Sequence, residues 1–240
     1  MLPDAHMIRT GFKRGTSMIP SFPRWVWAWA ALLPAVAGST NAVALLTLRH
    51  SGVTHLTGMS TEAGIGIGAG DMGLLLHAAA IIGLFTFGCT LSSALARGPR
   101  WIPSASIATL IFTVAILLVI ASRVIKPAPA SGLMVCALAL GVQNGTTSLT
   151  TGAVLRTSHL TGMFTDIGIA LGQRTWAGPV DSRRVAVCAL VISSFVLGAV
   201  VGAVMYERWE GNALLGSAAL AAVVAVLSAG LCLRRRLSES

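Results

Sequence analysis

Apolar residues fall along this chain in long continuous runs, without the strict alternation of a half-buried strand. The runs predict eight segments, at about 27–48, 54–69, 72–96, 102–121, 133–149, 157–171, 185–206 and 214–233. The fourth, 102–121, carries no charge at all. A run of about 20 such residues matches the hydrocarbon thickness of a bilayer when helical. Backbone groups in lipid must be satisfied internally, which leaves helices or a closed barrel. Continuity rather than alternation selects helices. Segments 2 and 6 depart from the rest: they are short, glycine-rich and polar for their setting. Each half therefore reads medium, short, long, long. A linker holding Lys126, Pro127 and Pro129 marks the midpoint, since proline interrupts a helix.

The halves also share residues. The stretch His55-Leu56-Thr57-Gly58-Met59 recurs letter for letter as His159-Leu160-Thr161-Gly162-Met163. Extending to Gly68 and Gly172 gives 9 identities in 14 positions, with Glu62 opposite Asp166. Gly38-x-x-Asn41 matches Gly141-x-x-Asn144, and Phe85-x-x-Gly88 matches Phe195-x-x-Gly198. Three anchors in one order indicate an internal duplication. The expected architecture is an all-α polytopic membrane bundle with six to eight membrane segments in two homologous repeats. Segments 2 and 6, the short ones, either cross or are re-entrant or broken. Residues 1–24 form a basic leading segment, 25–126 and 127–233 the two repeats, and 234–240 a basic tail. Ala35-Val36-Ala37 resembles a signal-peptidase site, but it borders the repeated Gly38 module, so cleavage is not expected.

Composition agrees. Hydrophobic residues make up 55% of the 240 and charged residues 10%, with mean hydropathy +0.80. A soluble domain carries about 25% charged residues. The net charge of +9 does not imply a nucleic-acid partner, because Arg97, Arg100, Arg123, Lys126, Arg183 and Arg184 bracket the spans. They are orientation signals and headgroup contacts. With a cytoplasmic N-terminus, eight crossings place 12 Lys/Arg inside and 5 outside; without segments 2 and 6 the split is 13 and 4. Both versions keep both termini cytoplasmic in a bacterial inner membrane. Eight crossings would make the repeats parallel, six would invert them.

The candidate chemistry lies in segments 2 and 6. Thr57, Thr61, Gly64 and Gly68 fall on one helical face, as do Thr161, Thr165, Gly168 and Gly172, a small-residue stripe suited to close helix packing. His55 and Glu62 are two turns apart, about 10.5 Å along a helix, and His159 and Asp166 repeat the spacing. A third group could sit between them over Gly58 or Gly162. Ionisable residues in a span usually face a cavity. The candidate substrate-binding set is therefore Asn41, His55, Thr57, Gly58, Thr61, Glu62, Asn144, His159, Thr161, Gly162, Thr165 and Asp166. Gly198-x-x-x-Gly202 and Gly88-x-x-x-Ser92 read as packing motifs, and Trp25, Trp27, Trp29 and Trp101 as interfacial anchors. His77, with no counterpart in the second half, reads as a hydrogen-bonded interior residue. Cys89, Cys136, Cys188 and Cys232 sit singly in apolar runs, without metal or redox spacing. No hydrolase, phosphate-loop or dinucleotide motif occurs, so neither an enzyme nor a cofactor is expected.

Gly38 to Ala42, His55 to Thr61, Gly141 to Asn144 and Thr161 to Asp166 together resemble the YoaK-like family of bacterial multi-pass membrane proteins, whose function is unassigned. The likeness spans roughly residues 32–233. The family pattern often carries Asp where Asn41 stands and Asn where Met59 stands. The resemblance implies location and architecture and no substrate. The expected function is small-solute secondary transport through a polar site between the repeats; a non-transporting scaffold or sensor is the alternative. The bilayer and an unidentified small solute or ion are the expected partners, and self-association is left open.

Overall fold

The computed structural model describes residues 23–48, 53, 55–97, 102, 104–174 and 182–239. The basic segment before Pro23, together with Thr54, Arg100 and Trp101, lies outside the described residues. Among the described residues the chain is all-helical: α1 (Arg24–Thr47), α2 (Leu56–Ala69), α3 (Met72–Leu95), α4 (Ala105–Val124), α5 (Pro129–Thr150), α6 (Leu160–Arg174), α7 (Ser182–Trp209) and α8 (Leu214–Glu239), with a 3-10 turn Glu210–Ala213 before α8.

Local chemistry sets the boundaries. Gly70 ends α2 in the left-handed region at φ +69°, and Asp71 then caps α3 by accepting from the Leu74 N–H. Ser104 caps α4 in the same way. Helix α5 starts four residues before the apolar run predicts, because Pro129 at its first turn lacks only an N–H that has no helical partner there. Helix α8 runs on through Arg234, Arg235 and Arg236, which belong in a last turn where cations meet the negative end of the helix dipole. Thr90, Thr109 and Thr113 hydroxyls donate to carbonyls one turn back, which satisfies them without water.

Four stretches are long and apolar enough to cross a membrane: Arg24–Thr47, Met72–Leu95, Ala105–Val124 and Ser182–Ser238. The last holds both α7 and α8. Helix α5 falls short in hydropathy because of Gln143, Asn144, Thr146, Thr147 and Thr150, yet all five are buried. Protein rather than lipid surrounds that helix. Helix α3, by contrast, buries only Ala78, Ile81, Gly88 and Ser92. Phe87 on α3, Phe112 and Ile116 on α4, Leu197 and Val201 on α7 and Val226 on α8 are exposed, an apolar outer surface that only lipid can cover. The chain is thus a polytopic membrane protein.

The anchors meet in crossed pairs. Gly38 of α1 lies against the Phe195 carbonyl of α7, and Gly141 of α5 against the Phe85 carbonyl of α3; a Cβ at either would collide with backbone. Gly198 and Gly202 rest on the Ala35 and Ser39 backbone, and Gly88 on that of Leu138 and Val142. The Ser92 hydroxyl donates to the Val142 carbonyl at 2.8 Å. Each half's first helix therefore packs on the other half's third helix, in parallel. Trp29 donates to Ser228 at 3.2 Å and Ser39 meets Ser217 at 2.6 Å, so α8 runs antiparallel to α1. Lys126 pairs with Glu210 at 3.0 Å, joining the end of α4 to the approach to α8, and Ile107 and Ile111 share a cluster with Val224 and Ala225. Helix α4 is thus antiparallel to α8 and parallel to α1. Helices α1, α4 and α7 run from what we term the Arg24 end to the Lys126 end; α3, α5 and α8 run back.

Two expectations change. Trp29 is buried and hydrogen-bonded to Ser228, with Trp25 edge-on at 5.1 Å, so it is a core residue and not an interfacial anchor. The Nε2 of His77 is buried and accepts no hydrogen bond among the described residues.

Candidate functional site

The short helices do not cross the bundle in the way the long ones do. At about 1.5 Å rise per residue, the 14 residues of α2 and the 15 of α6 extend about 21–23 Å, short of the about 30 Å of hydrocarbon. Helix α2 ends beside the start of α3, where Gly66 lies against Asp71 and Leu75. Its first residues lie level with Phe85 and Cys89 of α3, with His55 and Thr57 exposed there. Both α1 and α2 end at the Lys126 end. Helix α6 starts at the same level as α2, on the wall of the same cleft. Its Met163 packs with Val187 and Cys188 at the start of α7, at the Arg24 end.

The starts of the two arms open into one cleft of about 550 Å³. Helix α2 and its cap give it His55, Leu56 and Thr57; α6 and its approach give Arg156, Ser158, His159, Leu160 and Thr161. Phe85, Cys89 and Ser93 on α3 and Asn144, Gly145, Ser148 and Leu149 on α5 complete the wall. The cleft lies on the Arg24 side of the bundle's middle.

Asn144 builds one side of it. Its Nδ2 donates to the Leu140 carbonyl at 3.0 Å and to Ser158 Oγ at 2.9 Å, and its Oδ1 accepts from the Thr157 N–H and hydroxyl, both at 3.1 Å. Gln143 Nε2 donates to Thr157 Oγ1 at 3.0 Å and to the Leu33 carbonyl at 2.9 Å. These bonds hold Thr157 and Ser158 out of helical geometry, which is why α6 begins at Leu160 and not where the apolar run predicts. They also place Arg156 at the cleft. Asn41, the counterpart in α1, is half-buried and does not line it.

Of the residues proposed from sequence, His55, Thr57, Asn144, His159 and Thr161 come together; the others do not. No third group sits over the glycines, because each imidazole does: His55 lies over Gly58 and His159 over Gly162, and a Cβ at either glycine would strike its ring. The carboxylates turn elsewhere. Asp166 accepts from Arg184 of α7 at 2.8 Å, with the two side chains 31% and 51% exposed, and Glu62 is half-buried on α2 outside the cleft wall. Thr61 and Thr165 are exposed and bond their own helix one turn back. The expected packing stripe makes no close approach: a Cβ at Gly64, Gly68, Gly168 or Gly172 would meet nothing within 4 Å, while Gly66, off that stripe, lies tightly against α3. Sequence reasoning missed Arg156. Its signal was a lone cation among hydroxyl residues just before the repeated His-Leu-Thr-Gly motif.

The four cysteines are free thiols, with Cys136 and Cys188 buried. No group of three metal-ligating side chains occurs among the described residues.

No curated protein and no solved structure matches the chain. The family model DUF1275, described as a protein of unknown function, matches residues 29–227. That match covers α1 to most of α8, including both arms and the cleft, and the chain belongs to the DUF1275 family.

Proposed function

We propose that the protein is a secondary transporter for a small solute, with residues 25–126 and 127–233 as inverted repeats and the α2–α6 cleft as its binding site. In this reading six helices cross the membrane, and α2 and α6 enter from opposite faces without crossing. The observation that carries it is the shared starting point of two short helices that come in from opposite ends of the bundle. Interrupted helices in equivalent positions of two repeats are where such transporters bind substrate. The crossed pairing of Gly38 with Phe195 and of Gly141 with Phe85 supports the two-fold relation, and the antiparallel α4 and α8 support its inversion.

Charge supports an orientation. The Arg24 end carries Arg24, Arg97, Arg183, Arg184 and Arg234 to Arg236, while the cations at the other end, Arg123, Lys126 and Arg208, stand among Glu207 and Glu210. The positive-inside rule then puts the Arg24 end, with both termini, on the cytoplasmic side of a bacterial inner membrane. The cleft lies nearer that side.

Purified protein in proteoliposomes is assayed for flux of neutral, anionic and cationic small solutes. Flux above protein-free vesicles is expected for one class, and it is abolished by Ser148→Trp, which fills the cleft from α5 and leaves the crossed anchors untouched. Well-folded protein that moves no solute would return the reading to a scaffold or sensor. In a cysteine-free background, Ser238→Cys labels with impermeant maleimide only from the cytoplasm and Glu210→Cys only from outside. Labelling of both from one face would remove the six-crossing arrangement.

A further inference from the structure

The cleft wall has one sign of charge. Its titratable side chains, apart from the Cys89 thiol, are Arg156, His55 and His159, and no carboxylate lines it. The two acids of the arms are accounted for elsewhere, Asp166 on Arg184 and Glu62 two turns along α2 from His55. Arg156 makes no ion pair or hydrogen bond among the described residues. Arg156, His55 and His159 are exposed at the cleft, so the guanidinium is open to an anion from outside the protein. The rest of the wall adds donors: the Thr57, Ser93, Ser148, Ser158 and Thr161 hydroxyls. No side chain caps the start of α2, whose first residues line the cleft, so the positive end of its dipole lies close by.

We infer that the cleft binds a small organic anion, with its charged group at Arg156 between the starts of α2 and α6. A planar carboxylate suits the guanidinium fork, which offers two parallel donors. Phe85, Leu56, Leu149 and Leu160 give the remainder of the wall an apolar character that a bare inorganic ion does not use. The volume of about 550 Å³ is that of a small-molecule site, well beyond the needs of one halide. The inference rests on the transport reading of the same cleft and adds the class of solute.

The test measures calorimetric binding of sodium benzoate, benzamide and benzylammonium chloride to the full-length protein in nanodiscs. These probes share a ring and differ in charge. Benzoate is expected to bind at least about tenfold more tightly than benzamide, and benzylammonium not at all. Arg156→Gln lowers benzoate affinity about tenfold and leaves benzamide unchanged, while Arg156→Lys retains most of the preference. Benzamide or benzylammonium binding as well as benzoate overturns the inference, and so does benzoate affinity that ignores Arg156→Gln. Sulfate displacing benzoate at equal concentration overturns the organic part. The two readings fail separately: neutral-solute flux without benzoate binding removes the anion inference alone, and benzoate binding without flux of any solute removes transport alone.

Discussion

The two arms share nine of fourteen residues and are held in place by different means. Helix α2 presses its backbone onto α3 through Gly66, buries Met59 and leaves Glu62 without an ion pair among the described residues. Helix α6 has Ala170 where α2 has Gly66, so it cannot approach its neighbour as closely, and it is tied to α7 through Asp166 and Arg184. Attachment has diverged between the halves. What the arms keep in common is mostly exposed or turned to the cleft: Thr57 and Thr161, Thr61 and Thr165, Gly64 and Gly168, Gly68 and Gly172. Close helix packing does not explain those glycines, because a Cβ at any of the four would meet nothing within 4 Å. The core shows the reverse. Gly38 and Gly141 keep a shared steric duty, each meeting a phenylalanine carbonyl of the opposite half.

The largest effect expected from this contrast comes from Gly38→Leu and Gly141→Leu. Either side chain would have to push apart two backbones, and neither neighbour has a flexible end to yield. Overpacking a tight core costs about 1–3 kcal/mol and sometimes more, and a backbone contact belongs at the top of that range. Both variants should lose most monodisperse protein after detergent extraction, and to a similar degree. Gly64→Leu and Gly168→Leu, in open space, should extract like the parent. A tolerated Gly141→Leu beside a lethal Gly38→Leu would break the equivalence of the crossed pairs.

The next effect separates the two asparagines. Asn144→Ala removes four hydrogen bonds and leaves the Thr157 N–H buried and unpaired. An unsatisfied buried polar group costs about 1–3 kcal/mol. Thermal unfolding in detergent should move down by several degrees, and the Arg156 loop should become open to proteolysis. Asn41→Ala, at a less buried site, should cost less. Equal losses would mean that the first half contains a loop-holding amide of the same weight.

The matched glycine anchors were legible in sequence because glycines that admit a backbone leave a spaced pattern. Length, glycine content and polarity set α2 and α6 apart from the other helices, without fixing whether they cross. The crossing of partners was not legible, since Gly38 facing Phe195 and Gly38 facing Phe85 are equally consistent with the sequence. Nor were the side-chain directions in the arms. A two-turn spacing aligns His55 with Glu62 along a helix, but the imidazole folds back over Gly58, and an acid near a helix midpoint pairs with whatever cation the next helix offers. On α7 that cation is Arg184; α3 carries no Lys or Arg to serve Glu62.

That last difference makes the smallest and most specific prediction. Asp166→Asn removes one ion pair, and Glu62→Gln removes none. The Asp166 pair is partly open, so its charge is screened, and exposed pairs contribute about 0–1 kcal/mol. Asp166→Asn should therefore lower thermal stability by a degree or two at low salt, with the difference fading as salt is raised to about 1 M, where the Debye length falls to about 3 Å. Glu62→Gln should show neither the loss nor the salt dependence. Solute flux tells the same story from the functional side: with no carboxylate in the cleft wall, both variants should transport at near-parental rates. A complete loss of flux in Asp166→Asn, with folding and stability intact, would put that acid back on the solute path. It would mean that the α6 arm releases Arg184 during the cycle, and the pair would then act as a latch between two states of the arm.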